Sequence, residues 1–234
     1  RNDKHKELGE DLFPRDFILN IPRPSNHIGP EQFFGISADD DLNIEKSKGY
    51  PLCRKVFDGD ALLPDIAELK TEVEVPEDLN ASLKRAIKSF IISCAARYAR
   101  GQIESHNSML IHVTHYVNAQ KQIHEHVLEE IKKIKDVLLA APSTHPLWNT
   151  FESLWNDDYV ITTKKMNNLV DEEYMIHDWS IIKEQVPNVL RKIDIVLVNG
   201  ASKDALDYAR KKEDKIFRNF IAVGGNRLAR GLTL

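Results

Sequence analysis

The sequence predicts an α/β fold built on a parallel sheet. Two observations carry this. Short β-branched apolar runs, "SMLIHVTH" at 108–115, "DIVLVNG" at 194–200 and "RNFIAVGGN" at 218–226, alternate with long stretches of helical periodicity. Two of the runs also carry glycine at or next to their carboxyl ends, as strands entering turns do.

Taken in order, residues 1–10 are polar, and "FPRDFILNIP" at 13–22 holds a short β-like run between prolines. "RPSNHIGPEQFFG" reads as a turn-rich connector, because Pro22, Pro24, Gly29 and Pro30 crowd it. "SADDDLNIEKSKG" is acidic and solvated. Residues 1–75 are thus expected to form an irregular segment wrapped on the rest, and 76–234 the main domain.

The clearest helix is 79–102. Leu83, Ala86, Ile87, Phe90, Ile91, Cys94 and Ala95 recur at helical spacing, with Asn80 as N-cap and Gly101 as stop. "SMLIHVTH" reads as a buried strand. A long amphipathic helix follows from about Asn118 to Ala140, with Ile123, Val127, Ile131, Ile134 and Leu138 on one side. "THPLWNTFESLWNDDY", "TKKMNNLVDEEYM" and "DWSIIKEQVPNVLRKI" read as further helices, the last bent or broken at Pro187. The helices between 116 and 191 are expected to be an insertion on the sheet layer. "SKDALDYARKKED" is either a short helix or an exposed charged loop.

Composition narrows the function. The 234 residues are 42% hydrophobic and 29% charged, ordinary for a globular chain, with a formal net charge of −4. Nucleic-acid contact would therefore come from a local basic patch rather than a global cationic field. Two cysteines at no metal-ligand spacing fit a reducing cytoplasm, and no apolar run approaches the ~20 residues that span a bilayer. A start without Met and an abrupt end at Leu234 predict a piece of a longer protein.

Ligands of parallel sheets sit beyond the carboxyl ends of the strands. The first end carries His112, Thr114 and His115, followed by Asn118; the second carries Asn199, Gly200 and Ser202. The third carries Gly224, Gly225, Asn226, Arg227 and Arg230. Glycines allow positive φ and close backbone approach, a helix start near Asn226 would favour an anion, and the two arginines could grip phosphate. The competing reading is a glycine turn with two surface arginines.

Other candidates are weaker. No G-x-x-x-x-G-K-[ST] or G-x-G-x-x-G occurs. His106, His112, His115, His124 and His126 cluster in sequence, but His124 and His126 point to different helix faces, so no metal site is expected. "PDIAELK" at 64–70 has the residue types of metal-dependent nucleases, yet suits a helical surface. Trp148, Trp155 and Trp179 lie in helical segments and read as core or interface.

"LFPRDFI" with "NHIGPEQFFG", then "SMLIHVTHYVNAQKQI", then "IAVGGNRLARGLTL", resemble the Z1 domain family over nearly the whole chain. The family carries an endonuclease label and is similar to superfamily 2 helicase-like ATPases of bacterial restriction and DNA-conflict systems. The resemblance implies a RecA-like second lobe, with "SMLIHVTH" as its first strand and "GGNRLARGLTL" similar to helicase motif V. It implies nucleotide or phosphate binding by Gly224, Gly225, Asn226, Arg227, Arg230 and Thr233. DNA contacts would come from Thr114, His115, Asn118, Asn199 and Ser202.

ATP and Mg2+ are expected for the parent protein but not for this piece alone, because the ATP-gripping and Ser-Ala-Thr-Pro motifs of a first lobe are missing. So is the glutamine-and-arginine motif that supplies the finger. Expected partners are double-stranded DNA and a restriction or nuclease subunit. Two alternatives stay open: a metal-dependent nuclease in its own right, and a non-catalytic scaffold whose 116–191 helices recruit a nuclease subunit.

Overall fold

The computed structural model describes residues 28–36, 47–63, 75–140, 144–171, 173–198 and 216–225. The expected run at 13–22, most of the acidic stretch, the 64–70 segment and the charged segment after Ser202 lie outside them. The chain divides into two compact units, Arg1–Cys53 and Arg54–Leu234.

In the first unit the connector, expected to be turn-rich, contains a helical turn, α1 (Pro30–Phe34). Pro30 opens it, since proline's fixed φ suits the first helical position, and the Gly29 N–H donates to Gln32 Oε1 at 3.2 Å. Strands β1 (Gly35–Ile36) and β2 (Ser47–Lys48) then pair antiparallel. Gly35 sits at φ +80°, and a Cβ there would meet the Ser47 carbonyl oxygen at 2.5 Å, so glycine is required for this pairing.

The second unit opens with a 3-10 turn (Gly59–Ala61) that leads to α2 (Ala81–Ala99). Asn80 caps α2 as expected, its Oδ1 accepting from the Leu83 N–H at 3.3 Å. Asp58 adds a second brace by accepting from the Ser82 N–H at 3.0 Å. The helix ends before Gly101, at φ +77°. Its inward face buries Ile87, Ile91, Cys94 and Ala95 against α6 (Trp179–Arg191), which presents Ile182, Val186, Val189 and Leu190. Each fully buried aliphatic here stabilises by about 1.5–3 kcal/mol. Burial also pushes the Cys94 thiol up to about 12, so it packs as a small hydrophobe. Pro187 lies inside α6, and the helix continues through it without a break.

Among the described residues the sheet has three parallel strands, β3 (Asn107–His112), β4 (Ile193–Val198) and β5 (Asn219–Gly224), in the order β3-β5-β4. Central β5 is buried along its whole length. Strand β3 is not the fully buried strand expected: among the described residues it stands at the sheet edge, with one packed face. Asn107, Met109 and Ile111 point inward, while Leu110 is 45% exposed. Helix α3 (Val117–Ala140) packs directly on β4 and β5, burying Ile123, Val127, Ile131, Ile134 and Leu138 as its periodicity predicts.

Beyond α3, α4 (Leu147–Leu154) runs through a π turn (Trp155–Val160) into α5 (Ile161–Asn167). Trp148 and Trp155 are buried in the core. Trp155 and Tyr159, four apart along this turn, stack with centroids 5.6 Å apart. The helix expected over 163–175 stops at Asn167. Its side chain instead ties the following loop, donating to the Tyr174 carbonyl at 3.0 Å and accepting its N–H at 2.8 Å. Among the described residues no helix is long and apolar enough to cross a membrane.

Candidate functional site

Parallel register decides which loops meet. His112 pairs with Gly224, and Val198 pairs with Gly224 from the other side, so all three strands end at one level. The loop from β3 to α3, the diglycine after β5 and the end of β4 therefore share one edge of the sheet. The three strands thus share a sheet, the condition on which the sequence expects their tip groups to converge.

A backbone link holds the loop against the diglycine. The Val113 N–H donates to the Gly224 carbonyl at 3.3 Å, extending the ladder one residue beyond the strands. The loop itself is a tight serine/threonine-type turn, with Thr114 Oγ1 accepting from the Tyr116 N–H at 3.3 Å. Gly225 is buried directly beneath it. A Cβ on Gly225 would stand 2.1 Å from the Thr114 carbonyl oxygen and 2.4 Å from Gln120 Nε2. The glycine is required by close approach of backbone to backbone, which the sequence reading gave as one use of such a pair.

Thr114 is half-buried in this corner, while His115 and Asn118 are exposed beside it. The His115 ring lies on Tyr116, centroids 4.0 Å apart. Asn118 stands in the first turn of α3, where helix N–H groups have no carbonyl partner within the helix and the helix dipole favours an anion. The structure thus brings together Thr114, His115, Asn118, Gly224 and Gly225. Asn199, Ser202, Asn226, Arg227, Arg230 and Thr233 lie outside the described residues.

Gln120 is the residue the sequence reading missed. It is buried, and its Nε2 donates to the Thr114 carbonyl at 2.7 Å. The signal was legible: Gln120 falls on the apolar stripe of Ile123 and Val127, where an amide needs a reason.

The donor set at this edge, backbone N–H groups at a helix start beside a glycine turn, fits phosphate oxygens. Among the described residues no three His, Cys, Asp or Glu side chains converge as a metal site. The five histidines of the 106–126 stretch are distributed over β3, its flanking loops and α3.

The described residues define a mixed α/β protein with a three-stranded parallel sheet whose strand tips share one edge. The chain belongs to the Z1 domain family, whose model, described as Z1 domain, matches residues 82–234, more than half of the chain. The match begins in the first turn of α2 and takes in the whole sheet, whereas the "LFPRDFI" and "NHIGPEQFFG" motifs fall outside it. No curated protein and no solved structure matches the chain.

Proposed function

We propose that the chain is the second RecA-like lobe of a DNA-dependent, helicase-like ATPase or translocase, and that its strand-tip edge holds phosphate. The helices between 116 and 191 would be an insertion on that lobe. The observation that supports the reading best is the level ending of β3, β5 and β4, which puts the α3 N-terminus and the diglycine side by side. Thr114, His115 and Asn118 would contact the DNA backbone, joined by Asn199 and Ser202. Gly224, Gly225, Asn226, Arg227, Arg230 and Thr233 would face the cleft between lobes.

ATP and Mg2+ would be gripped mainly by a first lobe, since these residues contain no phosphate-gripping loop for ATP. The partner would be double-stranded DNA, with any cutting done by a restriction or nuclease subunit. Contacts of this kind are independent of base sequence and sensitive to salt.

The test is Arg230→Ala in the intact protein. DNA-stimulated ATP hydrolysis should fall at least about tenfold with the fold preserved, as loss of a charge-stabilising arginine does. Unchanged turnover would overturn the assignment.

A further inference from the structure

Helix α3 carries an amide on a stripe of otherwise apolar side chains. Gln120 lies on the same face as Ile123, Val127 and Ile131 and is 3% exposed. Its Nε2 donates to the Thr114 carbonyl at 2.7 Å. That bond fixes the amide orientation, because an oxygen in the nitrogen's place would face another acceptor. The other end, Oε1, is buried without a hydrogen-bond partner. Leaving a buried acceptor unmade is unfavourable, so Gln120 lowers stability at one atom while gaining a link at the other.

The link has a location. Thr114 closes the loop between β3 and α3. The same Nε2 stands 2.4 Å from where a Cβ on Gly225 would be. One side chain from the first turn of α3 therefore touches the loop after β3 and the diglycine after β5. A methylene of equal volume could fill this space but could not hold the Thr114 carbonyl.

We infer that Gln120 is a positioning residue, which ties the β3–α3 loop to the diglycine and so sets the phosphate-binding shape of the strand-tip edge. This rests on the reading of that edge given above. Gln120 touches no ligand; it holds the Thr114 carbonyl, and through it the direction of the neighbouring N–H groups, over Gly225. An untethered loop would present the same donors in a scatter of geometries, and binding would weaken without loss of any charge.

The experiment uses the full chain and a fluorescein-labelled DNA duplex, titrated by fluorescence anisotropy at several salt concentrations. Gln120→Met keeps the volume and removes the donor. It is expected to raise the dissociation constant on the order of tenfold, with unchanged circular dichroism. The slope of log affinity against log salt should match the wild type, since no cation is removed. Wild-type affinity in Gln120→Met would overturn the inference. A tenfold loss with a lower slope would also overturn it, by showing that a cationic contact had gone.

Should Gln120→Met fail to fold, Gln120→Glu decides. A buried carboxyl against a carbonyl has a raised pKa and can donate only when protonated. Its affinity relative to wild type should therefore recover as pH falls from about 8 to about 6. A flat ratio would sink the role. A wild-type chain that binds no duplex at all would instead remove the phosphate-edge reading itself, a result distinct from an insensitive Gln120 variant.

Discussion

Asn107 Nδ2 donates to Asn219 Oδ1 at 2.7 Å, joining the first residues of β3 and β5 in the core. Asn219 also donates to the Tyr98 hydroxyl at 3.3 Å and to the Val189 carbonyl at 3.4 Å, so one amide links two strands, α2 and α6. The network lies at the opposite end of the sheet from Thr114 and Gly225, which separates holding the sheet together from presenting its tips.

Asn219→Ala should therefore destabilise without altering the site. Asn219 is fully buried, and its loss leaves the Asn107 amide nitrogen and the Val189 carbonyl without this partner. The cost should be about 2–3 kcal/mol. Urea denaturation would measure it. Duplex affinity of the folded fraction should stay at wild-type level; a parallel loss of affinity would show that the two ends are coupled.

Tyr159→Phe probes the π turn. The Tyr159 hydroxyl donates to the Ser89 carbonyl at 2.6 Å and shares hydrogen bonds with Ser89 Oγ at 2.6 Å and Ser93 Oγ at 3.0 Å. Removing one oxygen leaves the ring stacked on Trp155 and strips these bonds from α2. The expected loss is about 1–2 kcal/mol by chemical denaturation. An unchanged midpoint would mean that the stack alone holds the turn against α2.

The contrast between these features and the predicted ones shows where sequence carries information. Apolar period is a local property, so α2, α3 and the three strands of the parallel sheet are readable from it, as is Asn80 as a cap. Strand order is not local. Nothing in "SMLIHVTH" says that alternate side chains point away from the core, so Leu110 reads as core although it is exposed. The helix stop at Asn167 is likewise hidden, because it depends on that side chain meeting Tyr174 seven residues on. At the site, the glycines were legible as places of close approach. Gln120 was passed over because its partner, the Thr114 carbonyl, carries no side-chain signal.

Asp158 should give the chain an acid-sensitive contact. It accepts from Arg54, from Arg85 at 3.2 Å and from Thr162 at 3.2 Å. The Arg54 hydrogen bond holds its carboxyl below the usual carboxylate range, against an opposing effect of burial. A depressed folded pKa means stability that is present above the unfolded value and lost as pH falls through the folded value. Asp158→Asn should thus be less stable than wild type near neutrality, by no more than about 1 kcal/mol because both guanidinium groups are half-exposed. The gap should close below about pH 4. Denaturation midpoints across that range would show it, and a gap independent of pH would assign the effect to packing.

Gly225→Ala places the sharpest demand on the site. The added methyl would meet the Thr114 carbonyl oxygen at 2.1 Å, and backbone cannot swing aside as a flexible side chain does. Either the 113–116 loop lifts or the end of β5 is pushed out of register with His112. Overpacking of this kind costs about 1–3 kcal/mol. Because the strain falls between the two loops, the strand-tip edge should be distorted while the Asn107–Asn219 end stays intact. Hydrogen exchange would separate the two: faster exchange at Val113 and Tyr116, whose N–H groups bond Gly224 and Thr114, with Asn219 unchanged. Duplex affinity should fall on the order of tenfold in the same variant. Wild-type exchange at Val113 together with wild-type affinity would mean that the loop accommodates the methyl freely, and that close approach at Gly225 is not what shapes this edge.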